Sequence, residues 1–224
     1  MTTPTSDRPL ALVTGASSGI GYELAAQFVE HDFDLIIAAE DEGIEVAAEK
    51  LRRDGGPRIW SVRVDLAREQ GVTELVAAVT ATGRPLDALG LNAGRGAGGA
   101  FVGDTDLADE LEIVDLNVRS TVHLAKRLLP GMVERGTGRV FFTSSIAATM
   151  PGPFQAVYNA SKSFVQSFAE ALRNELKDTG VTVTSLMPGS TDTEFFDRAD
   201  MEDAAPLRSR DLALSVATNG TKYR

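Results

Sequence analysis

The chain has 224 residues, 43% of them hydrophobic, and a formal net charge of −10. That length suits one α/β domain with a full core. The acidic balance argues against non-specific nucleic-acid binding and against an anionic membrane surface as partner. There is no cysteine, and the histidines are two, His31 and His123. Disulfides, cysteine nucleophiles, thiolate metal sites and histidine-rich metal centres are excluded on that count, and no metal is expected. Residues 1–9 read as a flexible polar tail without a signal-peptide or membrane-spanning run. A cytoplasmic location is the default expectation.

Leu10-Ala11-Leu12-Val13 is an apolar run without polar alternation, the pattern of a strand buried on both faces. It leads into Thr14-Gly15-Ala16-Ser17-Ser18-Gly19-Ile20-Gly21, and a helix follows with Ile20, Leu24, Ala25 and Phe28 on one face. Strand, glycine loop and helix form the setting in which a phosphate sits on a helix N-terminus. The spacing is G-x-x-x-G-x-G, not the commoner G-x-G-x-x-G, and a plain glycine-rich turn is the simpler alternative. Gly15-Ala16-Ser17-Ser18-Gly19 also matches the G-x-S-x-G nucleophile elbow of serine hydrolases. Against that, the elbow would lie on the first strand, with no earlier chain to supply an oxyanion loop. No histidine follows the last strands to complete a triad.

Asp34 to Ala39 reads as a second strand, followed by an Ala/Glu-rich helix to about Arg53. Ile59 to Val64 is a third strand ending in Asp65-Leu66, and a helix spans about 69–81. Leu86 to Leu91 is a fourth strand ending in Asn92-Ala93-Gly94, and a long helical region covers about 105–130. Gly138 to Thr143 is a fifth strand ending in Ser144-Ser145, and Val181 to Leu186 a sixth ending in Pro188-Gly189. Strands alternating with helices predict a doubly wound parallel sheet in a single domain. Gly15, Glu40, Asp65, Asn92, Ser145 and Gly189 all follow carboxyl ends of predicted strands, the edge at which open α/β sheets bind ligands.

Between the last two strands stands Tyr158-Asn159-Ala160-Ser161-Lys162, opening a helix with Phe164, Val165, Phe168, Ala171, Leu172 and Leu176 at helical steps. Positions i and i+4 share a face, so the phenol and the ammonium reach one site. A free tyrosine titrates near ~10, and a nearby cation is expected to lower that value. The pair is a candidate general acid/base for an alcohol or a carbonyl. Tyr-x-x-x-Lys alone also occurs by chance on many helices.

With these residues in this order, the chain resembles the short-chain dehydrogenase/reductase family over residues 10–195. The resemblance rests on Thr14-Gly15-x-x-x-Gly19-x-Gly21, Asp65, Asn92-Ala93-Gly94, Asn117, Ser145, Tyr158-x-x-x-Lys162 and Pro188-Gly189-x-x-x-Thr193. It implies a Rossmann-like α/β domain with helices on both faces and an NAD(P)-dependent oxidoreductase, an alcohol dehydrogenase or ketoreductase. Tyr158 would exchange the proton at the substrate oxygen, Ser145 rather than Ser144 would bind that oxygen, and Lys162 would lower the tyrosine pKa and bond the nicotinamide ribose. Asn117 would hold a water in a relay to Lys162, or serve as a polar residue satisfied in a helix kink. Gly15, Ser17, Ser18, Gly19, Ile20 and Gly21 would hold the pyrophosphate. Asp65 and Leu66 would lie at the adenine, Asn92, Ala93 and Gly94 along the crevice, and Pro188 and Gly189 beside the nicotinamide. Thr191 or Thr193 would bond its carboxamide or the phosphates.

Cofactor choice has a physical basis. An acidic residue after the second strand bonds a ribose 2′-hydroxyl, whereas a 2′-phosphate requires arginine. Here the strand runs into Glu40-Asp41-Glu42, so NAD(H) is expected in preference to NADP(H). The catalytic domain is expected over 10–196, with 197–224 a short atypical C-terminal segment that has room for little more than a short helix and an edge strand. The resemblance also implies a small-molecule alcohol or carbonyl substrate and a homodimer or homotetramer. Met150, Pro151, Phe154 and Met187 are candidates for an apolar substrate pocket. The competing expectation is a cofactor-binding regulatory or scaffold protein of the same fold with weak or no catalysis.

Overall fold

The computed structural model describes residues 7–189. Thr191, Thr193 and the segment 197–224 lie outside the described residues. Six strands form one sheet: β1 (Leu10–Thr14), β2 (Asp34–Ala39), β3 (Ile59–Arg63), β4 (Ala88–Leu91), β5 (Gly138–Thr143) and β6 (Val181–Leu186). Six helices connect them: α1 (Gly19–Glu30), α2 (Gly43–Leu51), α3 (Glu69–Ala81), α4 (Leu107–Ile113), α5 (Ser120–Arg135) and α6 (Ala156–Glu175). The strand order is β3-β2-β1-β4-β5-β6 and every pairing is parallel. This is a Rossmann-like sheet. Its order reverses between β1 and β4, which opens a crevice at their carboxyl ends.

The unbroken apolar runs have a simple cause. Leu10, Leu12, Ile36, Ala38, Leu89 and Phe142 face one side of the sheet, against Leu75 and Val76 of α3, Leu124 and Met132 of α5 and Val165 of α6. Ala11, Val13, Leu35, Ile37 and Ala88 face the other, against Leu24 and Ala25 of α1 and Ile44 and Ala48 of α2. A strand covered on both faces has no solvent side on which to alternate. Each such Leu or Ile contributes roughly 1.5–3 kcal/mol through burial.

The helical region before β5 is not one regular helix. α4 passes into a π-helical turn at Val114–Arg119 and then into α5, which continues past Pro130 to Arg135. Gly136, with φ 68°, closes it, and Thr137 N donates to Met132 O at 3.2 Å. β4 starts at Ala88, two residues later than its apolar run. The Asp87 carboxylate has already taken the Leu10 N–H at 2.8 Å. The inner end of the expected tail is held as well. Arg8 Nε pairs with Asp32 Oδ1 at 2.7 Å, and Pro9 O accepts from Asp34 N at 2.9 Å.

Candidate active site

The glycine loop leaves β1 and turns back on the end of β2, where Gly15 N donates to Ala38 O at 2.7 Å. Ser18 is the N-cap of α1, and its side chain makes no capping bond. The leading N–H groups of the helix therefore have no side-chain cap, the arrangement that receives an anionic oxygen. Gly21 lets α1 lie directly on the loop: a Cβ there would stand 1.9 Å from Gly15 O. These features fit a pyrophosphate.

Asn92 ties the crevice together. Its Nδ2 donates to the carbonyls of Thr14 and Gly15, each at 3.1 Å, and its Oδ1 accepts from Thr143 Oγ1 at 3.0 Å. Thr14 Oγ1 accepts from the N–H groups of Asn92 and Ala93, each at 3.0 Å. The carboxyl ends of β1, β4 and β5 are thus fastened side by side. Ile20 packs against the core under α1, and Ala93 against the core on the opposite face.

At the far end of the crevice, Glu40 is exposed, and its carbonyl accepts from Arg63 Nε at 3.1 Å. Arg63 Nη1 pairs with Glu42 Oε1 at 3.0 Å. Asp41 accepts from Ser17 Oγ at 2.8 Å and from Gly43 N at 2.9 Å. Ser17 thus serves a carboxylate, not the histidine that a hydrolase elbow needs. Asp65 accepts from Ala67 N and Arg68 Nε, both at 2.9 Å. Leu66 is buried in the core, which leaves its backbone and not its side chain for the crevice.

At the near end, Ser145 begins a 3-10 turn (Ile146–Thr149), and its Oγ accepts from Ala147 N at 3.1 Å. The same side chain is hydrogen-bonded to Tyr158. Lys162 lies one turn on along α6, its Nζ donating to Thr143 O at 2.9 Å and standing 5.9 Å from the Tyr158 ring centroid. Ser144 is buried and donates to Lys162 O at 3.1 Å. Pro188 O accepts from Ile146 N at 3.0 Å, which brings the end of β6 to the same place. Gly189 follows it.

Asn117 sits in the π turn, 1% exposed. Its Oδ1 accepts from Arg95 N, and its Nδ2 donates to Arg95 O and Ser161 Oγ, all at 2.9 Å. Ser161 Oγ in turn donates to Tyr158 O at 2.7 Å. Gly94 makes this convergence sterically open, since a Cβ there would lie 3.1 Å from Asn117 Oδ1 and 3.2 Å from Lys162 Nζ.

The electrostatics differ from the expectation that Lys162 lowers the Tyr158 pKa. Burial raises the Tyr158 phenol above its ordinary 10.0, and the Ser145 hydrogen bond offsets this only in part. Burial also lowers Lys162 from 10.5 to about 8. Lys162 keeps its proton below pH 8, and its ammonium is directed at the Thr143 carbonyl and not at the phenol oxygen.

The residues singled out from sequence and described here gather along one edge of the sheet. Arg63, Thr143 and Ser161 join them without having been singled out. Their signal was present only as position: two at strand ends, one inside the Tyr-to-Lys interval.

Residues 9–204 match the family model described as short chain dehydrogenase. The sulfoacetaldehyde reductase 2 of Chromohalobacter salexigens is 33% identical over 217 residues, which cover 91% of this chain and 85% of that protein. The short-chain dehydrogenase of Sphingobium yanoikuyae, solved in complex with NADPH, superposes with a TM-score of 0.86 at 28% identity, covering 93% of this chain and 82% of that one. The 3-ketoacyl-(acyl-carrier-protein) reductase of Brucella melitensis, solved with NADH, gives a TM-score of 0.85 at 27% identity, covering 95% and 91%.

Proposed function

The chain belongs to the short-chain dehydrogenase family, and from that premise we propose that it interconverts a secondary alcohol and a ketone, with Tyr158 as the acid/base. The nicotinamide cofactor, when bound, accepts or supplies the hydride. The glycine loop and the start of α1 hold its pyrophosphate, Asn92 and Gly94 wall the crevice, and Lys162 bonds its nicotinamide-side ribose. The carboxylates of Glu40, Asp41 and Glu42 favour NAD(H) over NADP(H).

One observation carries the reading: the Ser145 side chain bonds the Tyr158 side chain, with the Lys162 ammonium 5.9 Å from its ring centroid. A substrate oxygen placed between Ser145 and Tyr158 receives two hydroxyl donors. The Tyr158 phenol, its pKa raised by burial, can protonate the oxygen of a ketone on reduction, and the same group takes the proton back when the alcohol is oxidised. Asn117 reaches Tyr158 through Ser161 and holds the start of α6 in place. Met150 and Phe154, exposed on the loop between Ser145 and Tyr158, give the substrate side an apolar rim.

Replacing Tyr158 by Phe tests this. Turnover of a ketone panel is expected to fall by about 10²–10⁴-fold with nucleotide affinity retained. Unchanged turnover would remove Tyr158 from the chemistry and favour a binding role for the fold.

The protein is also expected to be a homo-oligomer. Leu111, Val114, Val122 and Phe164 of the α4–α6 region are exposed, and a cavity of about 500 Å³ lies between Phe101, Val114, Val118, Val157 and Ala160. A second copy is the occupant the family resemblance implies. Sedimentation should show a dimer or tetramer, and a monomer would overturn this part.

A further inference from the structure

Helix α6 carries a second pair of polar residues at i, i+4 spacing, one residue on from Tyr158 and Lys162. Asn159 and Ser163 share a face of the helix and turn toward the segment between Ser145 and Tyr158. Asn159 Nδ2 donates to Met150 O at 3.1 Å. The Ser163 hydroxyl stands 2.9 Å from Ala148 O and from Asn159 O, its one proton shared between the two carbonyls. Resting on the catalytic reading above, we propose that Asn159 and Ser163 are positioning residues that select the substrate. They fix the segment that presents Ile146, Met150 and Phe154 at the mouth of the site, and with it the size of the apolar group that a ketone can carry.

The chemistry of Asn159 separates this role from simple packing. The residue is 6% exposed, and its Oδ1 is buried without a hydrogen-bond partner among the described residues. Gly152 lies directly on the amide: a Cβ there would stand 2.2 Å from Nδ2 and 2.6 Å from Oδ1. A buried acceptor without a donor is a cost that an apolar side chain of the same size avoids. Filling the space therefore does not call for an amide. What the amide supplies is the donor to Met150 O. The segment is tied at its start, where Ile146 N donates to Pro188 O at 3.0 Å, and at its end, where Phe154 O accepts from Gly99 N at 2.9 Å. Ser163 and Asn159 hold the stretch between. The side chains of Ile146, Met150 and Phe154 are exposed on it. A large apolar substituent on the ketone buries itself against them, whereas a ketone as small as butanone engages Ser145 and Tyr158 alone.

The experiment measures reduction of a panel of ketones graded in size from butanone to 2-acetylnaphthalene by the wild type, Asn159→Leu and Ser163→Ala, with NADH and NADPH both supplied. Each variant is expected to raise KM for the largest ketones about tenfold, with kcat within about threefold and the butanone parameters within about twofold of wild type. Hydrogen exchange of the N–H groups in residues 146–155 should quicken about tenfold in the same proteins. Asn159→Leu removes the unpartnered acceptor together with the donor, so its Tm is expected to stay at or above that of the wild type. A merely structural asparagine would instead lower Tm, and kcat for every ketone alike. If Asn159→Leu does not fold, Ser163→Ala, which removes a single hydroxyl, carries the test with a KM shift of about threefold. A large-to-small KM ratio within about twofold of wild type, or equal losses on all ketones, overturns the inference while the reading of Tyr158 stands. A wild type that reduces no member of the panel overturns that reading, and the inference with it.

Discussion

Ser144 and Ser145 are neighbours that meet α6 at different points. Ser144 is buried and supports the helix through the Lys162 carbonyl, whereas Ser145 is half-buried and bonds the Tyr158 side chain. Their alanine variants should separate cleanly. Ser144→Ala removes the side-chain donor that ties the end of β5 to a carbonyl of α6 and is expected to lower stability by about 1 kcal/mol, with a modest effect on turnover. Ser145→Ala removes a donor to the reacting oxygen and should lower turnover by about 10²-fold with a smaller change in stability. Denaturant melts and steady-state rates on both variants check this, and the reverse pattern would exchange their roles. The Tyr158–Lys162 spacing was legible in the sequence because helical geometry places i and i+4 together. Their pKa directions were not, because they depend on burial by residues distant in the chain.

At the scale of elements, two loops flank the mouth of the site, and they are joined at Phe154. Its carbonyl accepts from Gly99 N at 2.9 Å, and its φ is 64°, a left-handed conformation at an exposed, bulky residue. The strain there costs about 1–3 kcal/mol, and glycine in the same place gives part of that back as lost backbone order. Phe154→Gly is therefore expected to raise stability by about 0.5–1 kcal/mol, seen as a small rise in Tm. A fall in Tm would mean that the ring contributes packing that its exposure does not indicate. β1, β2 and β4 were readable as apolar runs, β3, β5 and β6 as β-branched and aromatic segments with polar residues between, and the glycine loop as a break between β1 and α1. The π turn at Val114–Arg119 was not, since its wider winding leaves no mark in composition. The left-handed Phe154 was not either, since that conformation is ordinarily signalled by glycine.

At the scale of the whole molecule, the sheet places a lysine from α6 in its interior and lets the fold respond to pH. Lys162 is 5% exposed, and its pKa falls from 10.5 to about 8 on burial. Between those values the unfolded chain still holds the proton and the folded chain has released it. The unfolded state then binds more protons, so stability rises with pH across this window. Below pH 8 both states are protonated, and the folded state carries a desolvated ammonium with the Thr143 carbonyl as its acceptor. Tyr158 works with the opposite sign. Its raised pKa means that the folded state keeps a proton which the unfolded state loses above pH 10, so stability falls there. Above pH 10 the two effects oppose each other. Lys162→Met removes the lysine titration and keeps an unbranched apolar chain in the same space. Unfolding free energies of wild type and variant, measured from pH 7 to 10, should converge or cross as pH rises. The wild type is expected to gain about 2–3 kcal/mol on the variant over that interval. A difference that stays flat would place the ammonium in a better solvated setting than α6 and β5 provide.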